Sequence, residues 1–241
     1  MTIADMKVLV TGANRGIGKA LVEEALQRGA NRVYATTREP LTHPDSRVTS
    51  VTMDVTDRQQ IRRAAQQVEA LDILINNAGV ASYDDLSDRS AIERHLAVNF
   101  FGVYDVIQAF LPKLVSSRGT IVNNSSLNAL APLPLIPAYS ISKAAALNLT
   151  QSLRVLLAPA GVRVQAVLTG PVDTDMTQGL DIPKATSAFV AAAIFDGIDS
   201  GHDEIFPDPM AQSLVPSWRR GAAKALEQQY AALVGAPVTQ H

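Results

Sequence analysis

Short apolar runs alternate along this chain with stretches of helical spacing, and the alternation predicts its elements. Lys7 to Val10 is a β-branched run, TGANRGIG follows, and Ile17 to Gln27 carries Ala20, Leu21, Ala25 and Leu26 at helical intervals. Strand, loop and helix are expected there. Arg32 to Thr36 and Val48 to Val55 read as the second and third strands, with a polar helix over residues 57 to 69. Leu71 to Ile75, apolar but for Asp72, reads as a fourth strand that fits the centre of a parallel sheet buried on both faces. From Ser90 to Val115, Ile92, Leu96, Phe100, Val103, Ile107, Phe110, Leu111 and Leu114 predict one long helix, interrupted by the amide of Asn99. GTIVNNSS is a buried strand running into small polar residues, and a helix is expected over 138 to 157. Residues 162 to 168 form a further strand. A short segment from Thr177 to about Pro183 opens the lid region, 177 to 199, and leads into a helix near Ala185 to Asp199. EIFPD at 204 to 208 reads as the last strand. Trp218 to Leu233 reads as a closing helix through Ala222, Leu226, Tyr230 and Leu233.

Alternating strands and helices predict an α/β fold, and 241 residues with 47% hydrophobic content can bury one large core. One domain over residues 1 to 241 is expected. The net charge of −2 offers no basic face for nucleic acid and no acidic tail, so a small-molecule partner is favoured. Zero cysteines exclude disulfides and thiolate chemistry. MTIADMKVLV has no basic region followed by a cleavable apolar segment, and no apolar run approaches the ~18 residues of a membrane span. A soluble, cytoplasmic protein with no membrane partner is expected. Histidines at 43, 95, 202 and 241 are scattered without ligand spacing, so no metal is expected.

Chemistry concentrates at PAYSISKAAALNL. Tyr139 and Lys143 stand four apart on one helical face, where Cβ atoms lie ~5 to 6 Å from each other. Ionising an ordinary phenol at pH 7 costs about 4 kcal/mol, and a neighbouring ammonium lowers that cost. The same pair also suits the surface of an amphipathic helix. In the glycine loop, tight turning and free amides at a helix start favour a pyrophosphate, although a plain connection would share the composition. Thirteen residues before Tyr139 stands Ser126.

Taken in order, the loop from Thr11 to Gly18, NNAG at Asn76 to Gly79, Asn99 in VNFFG, Ser126, and Tyr139 with Lys143 resemble the short-chain dehydrogenase/reductase family along almost the whole chain. The resemblance implies a Rossmann-type three-layer α/β/α sandwich around a mostly seven-stranded parallel sheet. It implies a catalytic set of Asn99, Ser126, Tyr139 and Lys143. In that set Tyr139 donates the proton, Lys143 lowers the phenol's pKa and binds the nicotinamide ribose, Ser126 bonds the carbonyl oxygen, and Asn99 holds a water-linked proton path. Cofactor contacts are implied at Gly12, Asn14, Arg15, Gly16, Ile17 and Gly18, and at Asp54 and Val55 against adenine. Further contacts are implied at Asn77, Ala78 and Gly79, and at Val172 and Thr174 against the carboxamide, while Asn76 braces the sheet. Thr169 stands where the family usually has proline. Homodimers or homotetramers through the long helices are the family's habit, and the closing helix is a further candidate for subunit contact.

The end of the second strand selects between cofactors: a carboxylate binds a free ribose 2′-hydroxyl and an arginine suits a 2′-phosphate. Here Arg38 stands there with no carboxylate before Glu39, and Arg15 can approach from the loop. NADP(H) is therefore expected, with solvated surface arginines as the plainer alternative. Asp54 could equally be a turn acid, and Asn99 a helix-surface residue. LNALAPLPLIPA, with three prolines and Leu127, Leu130, Leu133, Leu135 and Ile136, reads as a substrate-facing loop or as one packed on the core. The function expected is reduction of an apolar ketone or aldehyde with NADPH. An NAD-dependent alcohol dehydrogenase and a non-catalytic NADP-binding sensor are the competing readings.

Overall fold

The computed structural model describes residues 3–232. Leu233, the last apolar position of the expected closing helix, and His241 lie outside the described residues. The first half contains β1 (Lys7–Thr11), α1 (Gly16–Gln27), β2 (Arg32–Thr37), β3 (Val48–Thr52), α2 (Arg58–Gln67), β4 (Ile73–Asn76), α3 (Arg89–Leu96) and α4 (Val103–Ser117). Next come β5 (Thr120–Asn124), α5 (Pro137–Leu157), β6 (Arg163–Val167), the short β7 (Val172–Asp173) and β8 (Ala185–Thr186), and α6 (Ser187–Ser200). The chain closes through β9 (Glu204–Ile205), α7 (Pro209–Ser213), α8 (Val215–Arg220) and α9 (Ala222–Ala231).

Seven strands form one parallel sheet in the order β3-β2-β1-β4-β5-β6-β9. Successive side chains of a strand point to opposite faces, which sorts β1 between two cores. Val8 and Val10 join Leu21, Ala25, Ile194 and Phe195 beneath α1 and α6. Leu9 joins Ile61, Ile107, Phe110 and Leu114 beneath α2 and α4. Sheet order reverses between β1 and β4, and in such sheets the crevice at the strands' carboxyl ends binds ligands.

β3 ends at Thr52 and β4 begins at Ile73, each a few residues inside the expected bounds, and three other elements change more. The single helix from Ser90 to Val115 is divided by a wide turn of π-helical form over Ala97–Gly102. Asn99 is fully buried within that turn, and Gly102 sits so close to Val55 that a Cβ there would meet its backbone oxygen and Cγ2 at 3.0 Å. The last strand stops at Ile205 because Pro207 has no amide to donate and Asp208 turns to cap α7 through Ala211 N at 2.9 Å. The closing helix breaks at Gly221, which is extended between α8 and α9.

Candidate active site

The glycine loop joins β1 to α1. Gly12 and Gly16 have φ of +66° and +51°, a region that disfavours side chains, and a Cβ at Gly18 would stand 2.0 Å from Gly12 O. The helix therefore starts hard against the strand's end. Arg15 precedes it in an extended conformation, no side chain caps the helix, and its first turn carries no acid. Amides in that turn are left for an anion, the arrangement a pyrophosphate needs. Thr11 Oγ1 accepts from the backbone amides of Asn77 and Ala78, both at 2.9 Å, which fastens the NNAG turn beside the loop. Thr174 closes a third side, since a Cβ at Gly16 would meet its Cγ2 at 3.1 Å. Gly12, Gly16, Gly18, Asn77, Ala78 and Thr174 are thus brought together where the strand order reverses, with Gly79 next in the NNAG turn, Asn14 in the glycine loop, and Ile17 and Val172 packed on the core beside it.

The expected adenosine contacts are placed less uniformly. Arg38 is exposed just beyond β2 and has no ion-pair partner among the described residues. Arg15 pairs with Asp175 at 2.7 Å, both side chains two-thirds exposed, which links the glycine loop to the segment just ahead of the lid. Asp54 behaves as a turn acid: its Oδ1 accepts from Thr56 N at 2.8 Å and Thr56 Oγ1 at 2.7 Å. Val55 packs on the core under Gly102.

Ser126, Tyr139, Lys143 and Asn99 come together behind this crevice, all buried. Pro137 starts α5 and the Asp84 carboxylate accepts from Ala138 N at 3.2 Å, which fixes the turn carrying Tyr139. Lys143 Nζ lies 5.6 Å from the centroid of the Tyr139 ring and donates to Asn124 O at 2.8 Å. Burial pulls the Lys143 ammonium down to about 8. Burial pushes the Tyr139 phenol up, and the hydrogen bond with Ser126 works against that rise.

Asn99 is fully committed. Its Oδ1 accepts from Val80 N, and its Nδ2 donates to Val80 O and Ser142 Oγ, all at 2.9 Å. A Cβ at Gly79 would lie 3.3 Å from Asn99 Oδ1, a tight approach, and 3.7 Å from Lys143 Nζ, an ordinary contact, so this turn lies against both side chains. The Asn99 side chain therefore braces the Val80 backbone and Ser142 beside the lysine.

Asn124, Ser142, Asp84 and Asp208 were not singled out by sequence reasoning. A signal for Asn124 existed in the repeated Asn-Asn pairs at 76–77 and 123–124, which end adjacent strands in register. Asn76 Nδ2 donates to Asn123 Oδ1 at 2.8 Å, and Asn123 Nδ2 to Thr150 Oγ1 at 2.9 Å, bracing the sheet against α5. The apolar loop divides: Leu127 and Leu130 pack on Leu147, Ala166 and Leu168, whereas Leu133 and Leu135 are exposed. Among the described residues, no group of three or more His, Asp or Glu side chains could hold a metal ion, and no helix is long and apolar enough to cross a membrane.

Comparison with known proteins agrees with this geometry. The family model described as short chain dehydrogenase matches residues 6–184. Short-chain dehydrogenase PC-15 of Penicillium crustosum is 43% identical over 188 residues, covering 71% of this chain and 67% of that one. The NADPH-dependent 1-acyldihydroxyacetone phosphate reductase of Schizosaccharomyces pombe is 38% identical over 183 residues, covering 71% of this chain and 61% of the relative. Among solved structures, a short chain dehydrogenase from Burkholderia cenocepacia in complex with NADP superposes with a TM-score of 0.87 at 37% identity, covering 95% of this chain and 98% of that one. With its sheet order, its glycine loop and these relatives in agreement, the chain belongs to the short-chain dehydrogenase family.

Proposed function

We propose that this chain is an NADPH-dependent oxidoreductase that reduces an apolar ketone or aldehyde to the alcohol. The observation that carries the reading is the juxtaposition of an uncapped α1 start with a buried Ser126, Tyr139 and Lys143 cluster. When bound, the nicotinamide supplies a hydride to the carbonyl carbon. Ser126 donates a hydrogen bond to the carbonyl oxygen, and Tyr139 gives that oxygen its phenolic proton. Lys143, pulled down to about 8, stays mostly protonated at neutral pH and can turn from Asn124 O to a ribose hydroxyl and the phenol. Asn99 holds the Gly79 and Val80 backbone against it. General acid catalysis of this kind contributes ~10² to 10⁴-fold.

Exposed Leu133 and Leu135, with Met176 just ahead of the lid and Ile182 on it, support an apolar substrate. The exposed Arg38 supports NADPH over NADH, as do the NADP-bound Burkholderia structure and the NADPH-dependent yeast reductase. Pairing of Arg15 with Asp175 gives the NADH reading its one foothold. Exposed Phe101, Tyr104 and Ile141 on the π-helical turn, α4 and α5 support a homodimer or homotetramer, and a cytoplasmic location and a single domain are part of the same proposal. Initial rates of NADPH and NADH consumption, side by side over aldehydes, ketones, ketoesters and quinones, test the reading. Substrate-dependent loss of NADPH with little loss of NADH is expected. Silence with both cofactors would overturn it.

A further inference from the structure

We propose that Asn124 and Thr169 are coupled positioning residues, which set the cofactor cradle by tying together the carboxyl ends of four adjacent strands. Thr169 follows β6, and its Oγ1 donates to Asn124 Oδ1 at 2.8 Å. Asn124 Nδ2 donates to Asn77 Oδ1 at 3.0 Å, and Asn77 Nδ2 donates to Thr11 O at 3.0 Å. Every donor in this series points the same way, from β6 through β5 and β4 to β1. Hydrogen bonds arranged head to tail polarise one another, and removing one member leaves its neighbours short of a partner.

Both ends of the series reach the candidate site. At one end, Thr169 O accepts from Leu127 N at 3.0 Å and from Ser126 Oγ at 3.4 Å, so the serine loop hangs on it. Gly170 N then donates to Asp208 Oδ2 at 2.7 Å, and Val172 and Thr174 follow directly. In the middle, Asn124 O holds Lys143 Nζ. At the other end, Thr11 carries the glycine loop and the NNAG turn. A shift of Asn124 would therefore move the lysine, the serine loop and the glycine loop relative to one another. The Thr169 hydroxyl, which a proline at this position would lack, makes this connection. The inference rests on the reading that NADPH binds in this crevice.

Fluorescence titration with NADPH of the full-length wild type, Thr169→Val, Thr169→Ser, Asn124→Leu and the Thr169→Val/Asn124→Leu double variant, each with a thermal melt, tests it. Loss of one such bond is expected to raise the NADPH Kd roughly 3- to 10-fold in Thr169→Val, while Thr169→Ser restores it to within twofold of wild type. Asn124→Leu is expected to raise Kd at least about tenfold, and adding Thr169→Val to it changes Kd by less than about twofold, the mark of a shared series. Multiplying effects in the double variant would overturn the proposal, as would an unchanged Kd in Thr169→Val with only a lower melting temperature. Should Asn124→Leu fail to fold, comparison of Thr169→Val with Thr169→Ser decides alone. Absence of saturable NADPH binding by the wild type would instead overturn the cofactor reading beneath the proposal.

Discussion

Lys143 is a buried cation whose burden on the fold can be switched off by pH, and replacing it with methionine isolates that burden. Burial pulls the ammonium from its ordinary 10.5 down to about 8. Below about 8 both folded and unfolded chains hold the proton, so the lysine's contribution is constant. Between about 8 and 10.5 the unfolded chain keeps a proton that the folded chain has shed, and the stability of the wild type rises with pH. The gap of 10.5 − 8 = 2.5 units, at ~1.36 kcal/mol each, amounts to roughly 3 kcal/mol across the window. Lys143→Met keeps most of the stem and loses the titration. Constant costs, such as the partner lost by Asn124 O, cancel from the pH dependence of the difference. Tyr139, pushed up by burial, lowers stability only above its unfolded value near 10, and does so in both proteins. Urea denaturation of the two proteins at half-unit steps from pH 7 to 10 should show the wild type gaining on the variant by ~1.4 kcal/mol per unit above pH 8. A difference that stays flat from pH 7 to 10 would refute the reasoning.

Further outcomes follow from the same geometry. Gly18→Ala puts a Cβ 2.0 Å from Gly12 O and 2.6 Å from Asn77 Nδ2; displacement of α1 should cost about 1 to 3 kcal/mol or more in denaturant and weaken NADPH binding in the same sample. Asn99→Leu removes three buried bonds and strands Val80 N, so a loss of about 3 kcal/mol and a melting temperature lower by roughly 6 to 12 °C are expected by calorimetry. Arg38→Glu should cut the ratio of NADPH to NADH efficiency by roughly 10- to 100-fold in steady-state kinetics, the worth of one charge-assisted contact. Asp175→Asn frees Arg15 from its 2.7 Å ion pair, and the NADPH Kd should fall by a few-fold, the worth of an exposed pair, while the NADH Kd stays put.

Periodicity in the sequence was enough to read the sheet and its two helical layers, because Val8, Leu9 and Val10 or Ile73, Leu74 and Ile75 face two cores and must all be apolar. Glycine spacing placed the loop, since a Cβ at Gly18 would stand 2.0 Å from Gly12 O and glycine alone fits there. What stayed hidden depends on partners distant in sequence. Asn99 shares its helix with apolar neighbours, yet its amide is spent on Val80 and Ser142, and no local spacing announces the widened turn that this requires. Helical spacing placed Lys143 beside Tyr139 but not the carbonyl of Asn124, 19 residues away, which takes its ammonium. Arg15 stands beside a loop built for phosphate, and its pairing with Asp175, 160 residues on, is a tertiary choice. The closing helix failed as one piece at Gly221, where apolar spacing outlasted the backbone's regularity.

Substrate-dependent NADPH consumption by the wild type and by Tyr139→Phe, each with its NADPH Kd, bears most directly on the central claim. The substitution removes the proton while keeping the ring beside Lys143 and His95. A fall in kcat of ~10² to 10⁴-fold with the cofactor Kd within a few-fold of wild type is the predicted result. Turnover by Tyr139→Phe within a few-fold of wild type would contradict it and remove Tyr139 from the chemistry.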